Sequence, residues 1–362
     1  MESPLSDPDL IVSGPCQIGV GGLGRHGEEL IGHAKASGCL KGYFEQAQAQ
    51  RDLQAIPIQL DWLAPWFLYT PLRFSHGWKI FLQNDFFDRK VAKQIPQGRS
   101  FLGFIGASLH SFRQARRQGF EKLILMAANS HVRNVLEQQR KAYERNPIEP
   151  DWMNARHARK ILAEYDMADQ ILVASEYSRR TFLKYGVPEK KLKRIQFTAH
   201  PRFKPPADRG GAGKFRIIFV GALSLRKGIP ILFEAFAGLE NPDAKLILVG
   251  HSGTRGMNQY IKGWLKRDPR IRLQPGDPVP ILQSAQVYVH PAYEDNLPYA
   301  ALEAHACGAP MILSEDTGAK ELIRSWKDGM VIPTGDSAAL LGALEHFAKA
   351  FKDKSAPGNL EI

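Results

Sequence analysis

The densest set of residues able to do chemistry is HPAYEDNLPYAALEAHACGAP, residues 290–310. Glu294 and Asp295 come just ahead of a helical segment, and Glu303 follows eight positions after Asp295 and nine after Glu294. Carboxylates accept hydrogen bonds from sugar or ribose hydroxyls, which are uncharged donors. Asn296, Leu297 and Pro298 lead into the helix start, where backbone N–H groups and a partial positive charge suit phosphate oxygens. Acids at a helix start also simply complement its dipole. That blander reading covers Glu294 and Asp295 but is weaker for Glu303, which sits among small residues.

A second group is FVGALSLRKGIPILFEAF, residues 219–236, read as strand, glycine turn and helix with Arg226 and Lys227 at the mouth. Cationic side chains beside backbone amides can clamp a diphosphate and stabilise it as a leaving group. Lys-Gly after a strand is common, and the G-x-x-x-x-G-K-[ST] spacing of a Walker loop is absent. A third group, GVGGLGRH at 19–26, reads as a glycine loop between the first strand and a helix near 28–36. Its glycines let a phosphate or sugar approach the backbone, although any sharp strand-to-helix turn needs glycine.

Elements that place these groups alternate along the chain. In the second half, strands are predicted at 217–220, 245–249, 271–273, 286–289 and 311–313. Helical periods lie between them, as in Ile229, Leu232, Phe233 and Phe236, and Gly308 closes the helix that carries Glu303. In the first half, strands are predicted at 10–14, 78–82, 101–105, 122–127, 171–174 and 193–197. A basic helix carries Arg113, Arg116 and Arg117, and 136–169 reads as helical with a break near Pro147 and Pro150. Such alternation implies βαβ units and parallel sheets. The Pro- and Gly-rich stretch 201–214 sets a boundary between an N-terminal domain, 1–200, and a C-terminal domain, 201–362. The expected class is α/β, with two Rossmann-like doubly wound domains facing across a cleft and a last helix able to pack back on the first domain.

Composition narrows the class of partner. The 362 residues are 44% hydrophobic and 23% charged, which excludes a disordered chain and a small disulfide scaffold. Net charge is +11; residues 1–200 hold 28 basic and 20 acidic side chains, against 20 and 17 in 201–362. The basic first half suits an anionic partner such as a membrane surface or a nucleotide. No nucleic-acid motif accompanies it, so nucleic acid is not expected as a partner. The longest apolar stretch, 62–72, is too short to span a bilayer and is broken by Pro65 and Pro71. Its aromatic residues Trp62, Trp66, Phe67 and Tyr69 are expected mainly to pack in the core, with an acceptor or lipid contact as the alternative. The acidic start MESPLSDPDL and the scattered Cys16, Cys39 and Cys307 suggest a cytoplasmic protein with reduced thiols.

Together, the 219–236 and 290–310 segments resemble the retaining glycosyltransferases of family 4, the group 1 type with the GT-B fold. The resemblance is strongest over about 215–345 and looser over 10–200. It implies that Asp295 and Glu303 are the family's two spaced carboxylates, the first on the donor sugar and the second on the ribose. Glu294 stands beside the first, and Lys227 takes the lysine position on the diphosphate. Ala222 occupies the family's arginine position, leaving Arg226 as the other nearby cation. The resemblance also makes His131, in LILMAANSHVRN, the histidine directed at the donor sugar, with His26 a weaker competitor. Gly22 is assigned to the donor, and Gly24 and Arg25 to the acceptor side.

The function expected is transfer of a sugar from a nucleoside-diphosphate-sugar donor to a glycan or lipid-linked acceptor, with retention and without metal or cofactor. Envelope or exopolysaccharide synthesis at the inner membrane face is the expected setting. Two alternatives remain open: a sugar-nucleotide epimerase or hydrolase of the same fold, and a binding protein impaired in catalysis through Ala222.

Overall fold

Strands of this chain are short, apolar and buried on both faces, the signature of parallel sheets covered by helices on either side. LIVSG at 10–14 and VYVH at 287–290 have every residue buried. The structure, a computed structural model, describes residues 7–47, 52–70, 75–149, 152–207, 214–325 and 327–355. It divides into two compact units, residues 1–137 with 150–197, and residues 138–149 with 198–362. The 138–149 segment, which a single boundary at 200 leaves in the first domain, thus belongs to the second unit. The 201–214 linker lies partly outside the described residues.

The first unit runs β1 (Leu10–Gly14), α1 (Gly21–Ala36), β2 (Leu40–Glu45), β3 (Ala55–Pro57), α2 (Ala64–Tyr69), α3 (His76–Ala92), β4 (Ser100–Phe104) and α4 (Leu109–Arg117). It continues through β5 (Lys122–Ala127), the start of α5 (Val132–Arg145, which from residue 138 belongs to the second unit), α6 (Ala155–Met167), β6 (Gln170–Val173), α7 (Glu176–Lys184) and β7 (Leu192–Arg194). These strands form one parallel sheet ordered β3-β2-β1-β4-β5-β6-β7. Its core joins Ile11, Phe44, Phe101, Phe112, Leu125, Val173 and Phe182.

Several expectations need correction here. Residues 78–82 are helix, not strand. They lie in α3, where the Ser75 hydroxyl accepts from Trp78 N and the buried positions Gly77, Phe81, Asp88 and Val91 keep a helical period. The long period prevails over a short apolar run. β2, with Lys41 and Gly42, and the three-residue β3 carry too weak an apolar signal to be seen in sequence. The strand expected at 193–197 starts at Leu192 and ends at Arg194. Of the aromatic cluster, Phe67 is core, whereas Trp62 and Tyr69 are exposed; the Trp66 side chain lies outside the described residues.

The second unit runs β8 (Arg216–Val220), α8 (Ile229–Gly238), β9 (Lys245–Val249), α9 (Arg255–Arg267), β10 (Ile271–Leu273), α10 (Pro278–Gln283), β11 (Val287–His290), α11 (Tyr299–Ala306), β12 (Met311–Ser314), β13 (Gly329–Ile332) and α12 (Ser337–Ser355). Its parallel sheet is ordered β10-β9-β8-β11-β12-β13. The order reverses between β8 and β11, and ligands of such sheets bind at the carboxyl ends of the strands at a reversal of this kind. The last helix, α12, packs on α8 and β13.

Candidate functional site

The loops after β8 and β11 are the ones that carry Arg226, Lys227, Glu294 and Asp295, and they are joined at four points. Tyr293 N donates to Arg226 O at 2.8 Å. Gly228 has φ +71, and a Cβ there would meet the Pro291 carbonyl oxygen at 1.9 Å. Only glycine permits both the left-handed backbone and this close approach. Arg226 Nη1 donates to Glu294 Oε2 at 3.1 Å, and the Lys227 ammonium pairs with Asp295 Oδ2. Arg226 is therefore engaged with Glu294, and Glu294 itself is fully buried.

Asp295 is held from several sides. Its N–H donates to Asp316 O at 3.1 Å, and its carbonyl accepts from Gly318 N at 3.0 Å. His290 Nε2 lies 2.9 Å from its Oδ2. Burial alone would raise the Asp295 pKa; the Lys227 charge and the His290 hydrogen bond reverse this and hold it well below the usual carboxylate range. For Lys227, burial and then Arg226 lower the pKa, with Asp295 opposing them.

Glu303 sits on α11, 2% exposed. Burial, then the charges of Asp295 and Glu303, push the Tyr288 hydroxyl well above its ordinary pKa. Asn296 is fully buried, Leu297 is half-buried, and Pro298 is the N-cap of α11 without a side-chain cap bond. Lys227 and Asp295 thus meet just past the carboxyl end of β11, and the charge of Glu303 on α11 reaches Tyr288 in that strand.

The first-unit residues have different surroundings. His131 is buried, its ring 4.7 Å from that of Tyr185 in a stack and 5.0 Å from that of Tyr165. Arg133 N donates to its Nδ1 at 3.2 Å, so the ring proton of the neutral form sits on Nε2. Burial, then the Arg133 charge, push its pKa down to about 4. The glycine loop is shorter than its sequence suggests, because α1 begins at Gly21 and takes in Gly22, Gly24 and Arg25. A Cβ at Gly24 would lie 2.3 Å from the Gln17 carbonyl oxygen, so this glycine lets the turn close on the helix; a Cβ at Gly22 would meet nothing within 4 Å. His26 is buried with its ring 4.3 Å from that of Phe197.

Residues 206–356 match the family of glycosyl transferases, group 1. The matched span contains the residues described above in the loops after β8 and β11 and in α11. The chain is similar to spore coat protein SA of Bacillus subtilis, 28% identical over 195 residues, covering 46% of this chain and 52% of that protein. It is also similar to the putative colanic acid biosynthesis glycosyltransferase WcaL of Escherichia coli, 25% identical over 205 residues, covering 52% and 50%. The chain spans about half the length of the curated relatives it matches. Among solved structures, sucrose-phosphate synthase from Thermosynechococcus elongatus aligns with TM-score 0.73 and 20% identity over 96% of this chain and 90% of that one. HepE of Anabaena, in complex with UDP-glucose, aligns with TM-score 0.68 and 16% identity over 96% and 92%. The fold is GT-B, with two Rossmann-like α/β units.

Sequence reading missed three contributors. His290 and Tyr288 look like ordinary strand residues, yet both are polar inside a buried strand, which was the available signal. Glu149 lies outside every motif. Its carboxylate accepts from Leu225 N, in the loop after β8, and from Thr254 Oγ1 at 2.6 Å.

Proposed function

We propose that the protein is a glycosyltransferase that moves a sugar from a nucleoside-diphosphate donor to a glycan or lipid-linked acceptor. The observation that carries this reading is the Lys227–Asp295 pair at the reversal point of the second sheet. There a cation for phosphate and an acid for sugar hydroxyls stand side by side. The group 1 match, and the complex of HepE with UDP-glucose, support a nucleotide-sugar donor.

In this reading Lys227 and the backbone around Asn296, Leu297 and Pro298 receive the diphosphate, whose negative charge grows as the glycosidic bond breaks. Asp295 accepts from the sugar, and Glu303 from the ribose. Glu294 and Arg226 hold the two loops together. His131, neutral with its proton on Nε2, is the first unit's candidate donor to a sugar hydroxyl. Gly22 on the donor side and Gly24 and Arg25 on the acceptor side complete the assignment. The acceptor hydroxyl attacks the face from which the phosphate departs, retaining configuration, with the leaving phosphate oxygen taking its proton. The family 4 type, metal independence, absence of a cofactor and a hexose donor belong to the same proposal. So do attachment to an anionic cytoplasmic membrane face and a role in polysaccharide synthesis.

Pure protein incubated with UDP- and GDP-sugars, with and without chelator, should release nucleotide in both conditions and give a product of unchanged anomeric configuration. A strict need for divalent metal, or inversion, would overturn the mechanism. Lys227→Ala should lower release by roughly 100-fold. Because Ala222 contributes no cation and Arg226 engages Glu294, the binding-only reading keeps one specific support. Calorimetry showing donor binding without turnover across acceptors would establish it.

A further inference from the structure

Strand β11 buries two polar rings that the donor roles above leave unused. Tyr288 is fully buried and His290 nearly so. The two are spaced i, i+2 and share a face of the strand. The imidazole is parallel to the Phe219 ring at 5.9 Å and to the Tyr288 ring at 6.2 Å. Its Nδ1 lies 3.2 Å from the Tyr288 hydroxyl and its Nε2 2.9 Å from Asp295 Oδ2. A carboxylate only accepts, so Nε2 carries the proton and Nδ1 receives the phenol O–H. The result is a string of donors, Tyr288 to His290 to Asp295.

Asp295 Oδ2 is also the oxygen that meets the Lys227 ammonium. Two donors on one oxygen fix the rotation of the carboxylate, and Oδ1 takes neither of these bonds. We infer that His290 is a positioning residue, which reserves Oδ2 for Lys227 and Oδ1 for the donor sugar by locking the Asp295 carboxylate. The inference rests on the proposed donor roles of Lys227 and Asp295. Burial first, then Lys227 and Arg226 from the loop after β8, disfavour an imidazolium against the opposing hydrogen bond and charge of Asp295. Phe219 supplies only an apolar face.

Two measurements test this. Long-range 1H–15N NMR of the wild-type protein should find the His290 ring neutral at neutral pH, protonated on Nε2 and bare on Nδ1. The opposite tautomer, or an imidazolium at neutral pH, would overturn the inference. Separately, His290→Phe keeps a ring against Phe219 but no nitrogen, whereas His290→Gln keeps an amide N–H near the Nε2 position. In nucleotide release, His290→Phe should lower kcat at least ~10-fold with KM for donor within about threefold. It should also raise the acid limb of the kcat profile, because Asp295 loses a hydrogen bond to its charged form. His290→Gln should recover most of kcat and the wild-type limb. A folded His290→Phe protein with wild-type kcat and limb would sink the idea, as would a Gln variant no better than Phe. If His290→Phe does not fold, the wild-type NMR and the Gln variant still decide. If the wild-type protein turns over no nucleotide sugar, the functional reading fails, and the NMR result alone judges the His290 arrangement.

Discussion

At the scale of single residues, the ionic pair Lys227–Asp295 sets the character of the site. Removing one partner of a buried pair leaves the other uncompensated, which typically costs about 3–5 kcal/mol. Lys227→Met should therefore destabilise clearly, whereas Lys227→Met combined with Asp295→Asn should cost less than the two single changes summed. Urea unfolding of the four proteins measures the coupling. Cys16 offers a contrast in the first unit. Burial, then the nearby Glu45 charge, push its thiol up to about 12, so it is not a neutral-pH nucleophile. A thiol reagent at pH 7.5 should modify Cys16 much more slowly in the folded chain than in urea, and Cys39 and Cys307, both buried, should share that protection.

At the scale of elements, the site depends on how tightly the loops after β8 and β11 approach. Gly228→Ala places a methyl against the Pro291 carbonyl and strains a left-handed backbone. It should cost about 2–4 kcal/mol, read as a lower thermal midpoint, and reduce nucleotide binding together with stability. Glu149 braces the same loop from the 138–149 segment. Glu149→Ala leaves Leu225 N and the Thr254 hydroxyl without this acceptor and should cost about 1–3 kcal/mol. Central strands with continuous apolar runs, such as KLILMA and RIIFV, were legible in sequence because both faces are buried. β2, β3 and β13 (GMVI) were not, because neighbouring strands rather than apolar content define them. The 78–82 run misled because an apolar patch of five residues fits a strand and a helix face equally well.

At the scale of the whole molecule, buried histidines tie stability to pH. His131 and His157 both have pKa values pushed down to about 4, chiefly by burial, from an ordinary value of 6.5. Unfolded chains then bind more protons than folded ones between 6.5 and 4, so this contribution is complete above 6.5 and lost as pH falls through that window. His131→Phe, which fits the surrounding Tyr165, Phe182 and Tyr185 rings, should shrink the stability lost between pH 7 and pH 5 by about 1–2 kcal/mol. Denaturant midpoints at the two pH values give the comparison. For the protein as a whole, the sequence by itself determined the alternation of strands and helices, the apolar cores and the short list of residues in 219–236 and 290–310. These follow from local period and residue type, which neighbouring positions carry. Only the tertiary structure decided that Arg226 pairs with Glu294, that Gly24 yields to a carbonyl, that His131 lies in an aromatic nest, and that His290 meets Asp295 and Glu149 the loop after β8. Those facts depend on which distant segments meet and in what orientation, and hydrogen-bond direction and burial exist only once the sheets have assembled.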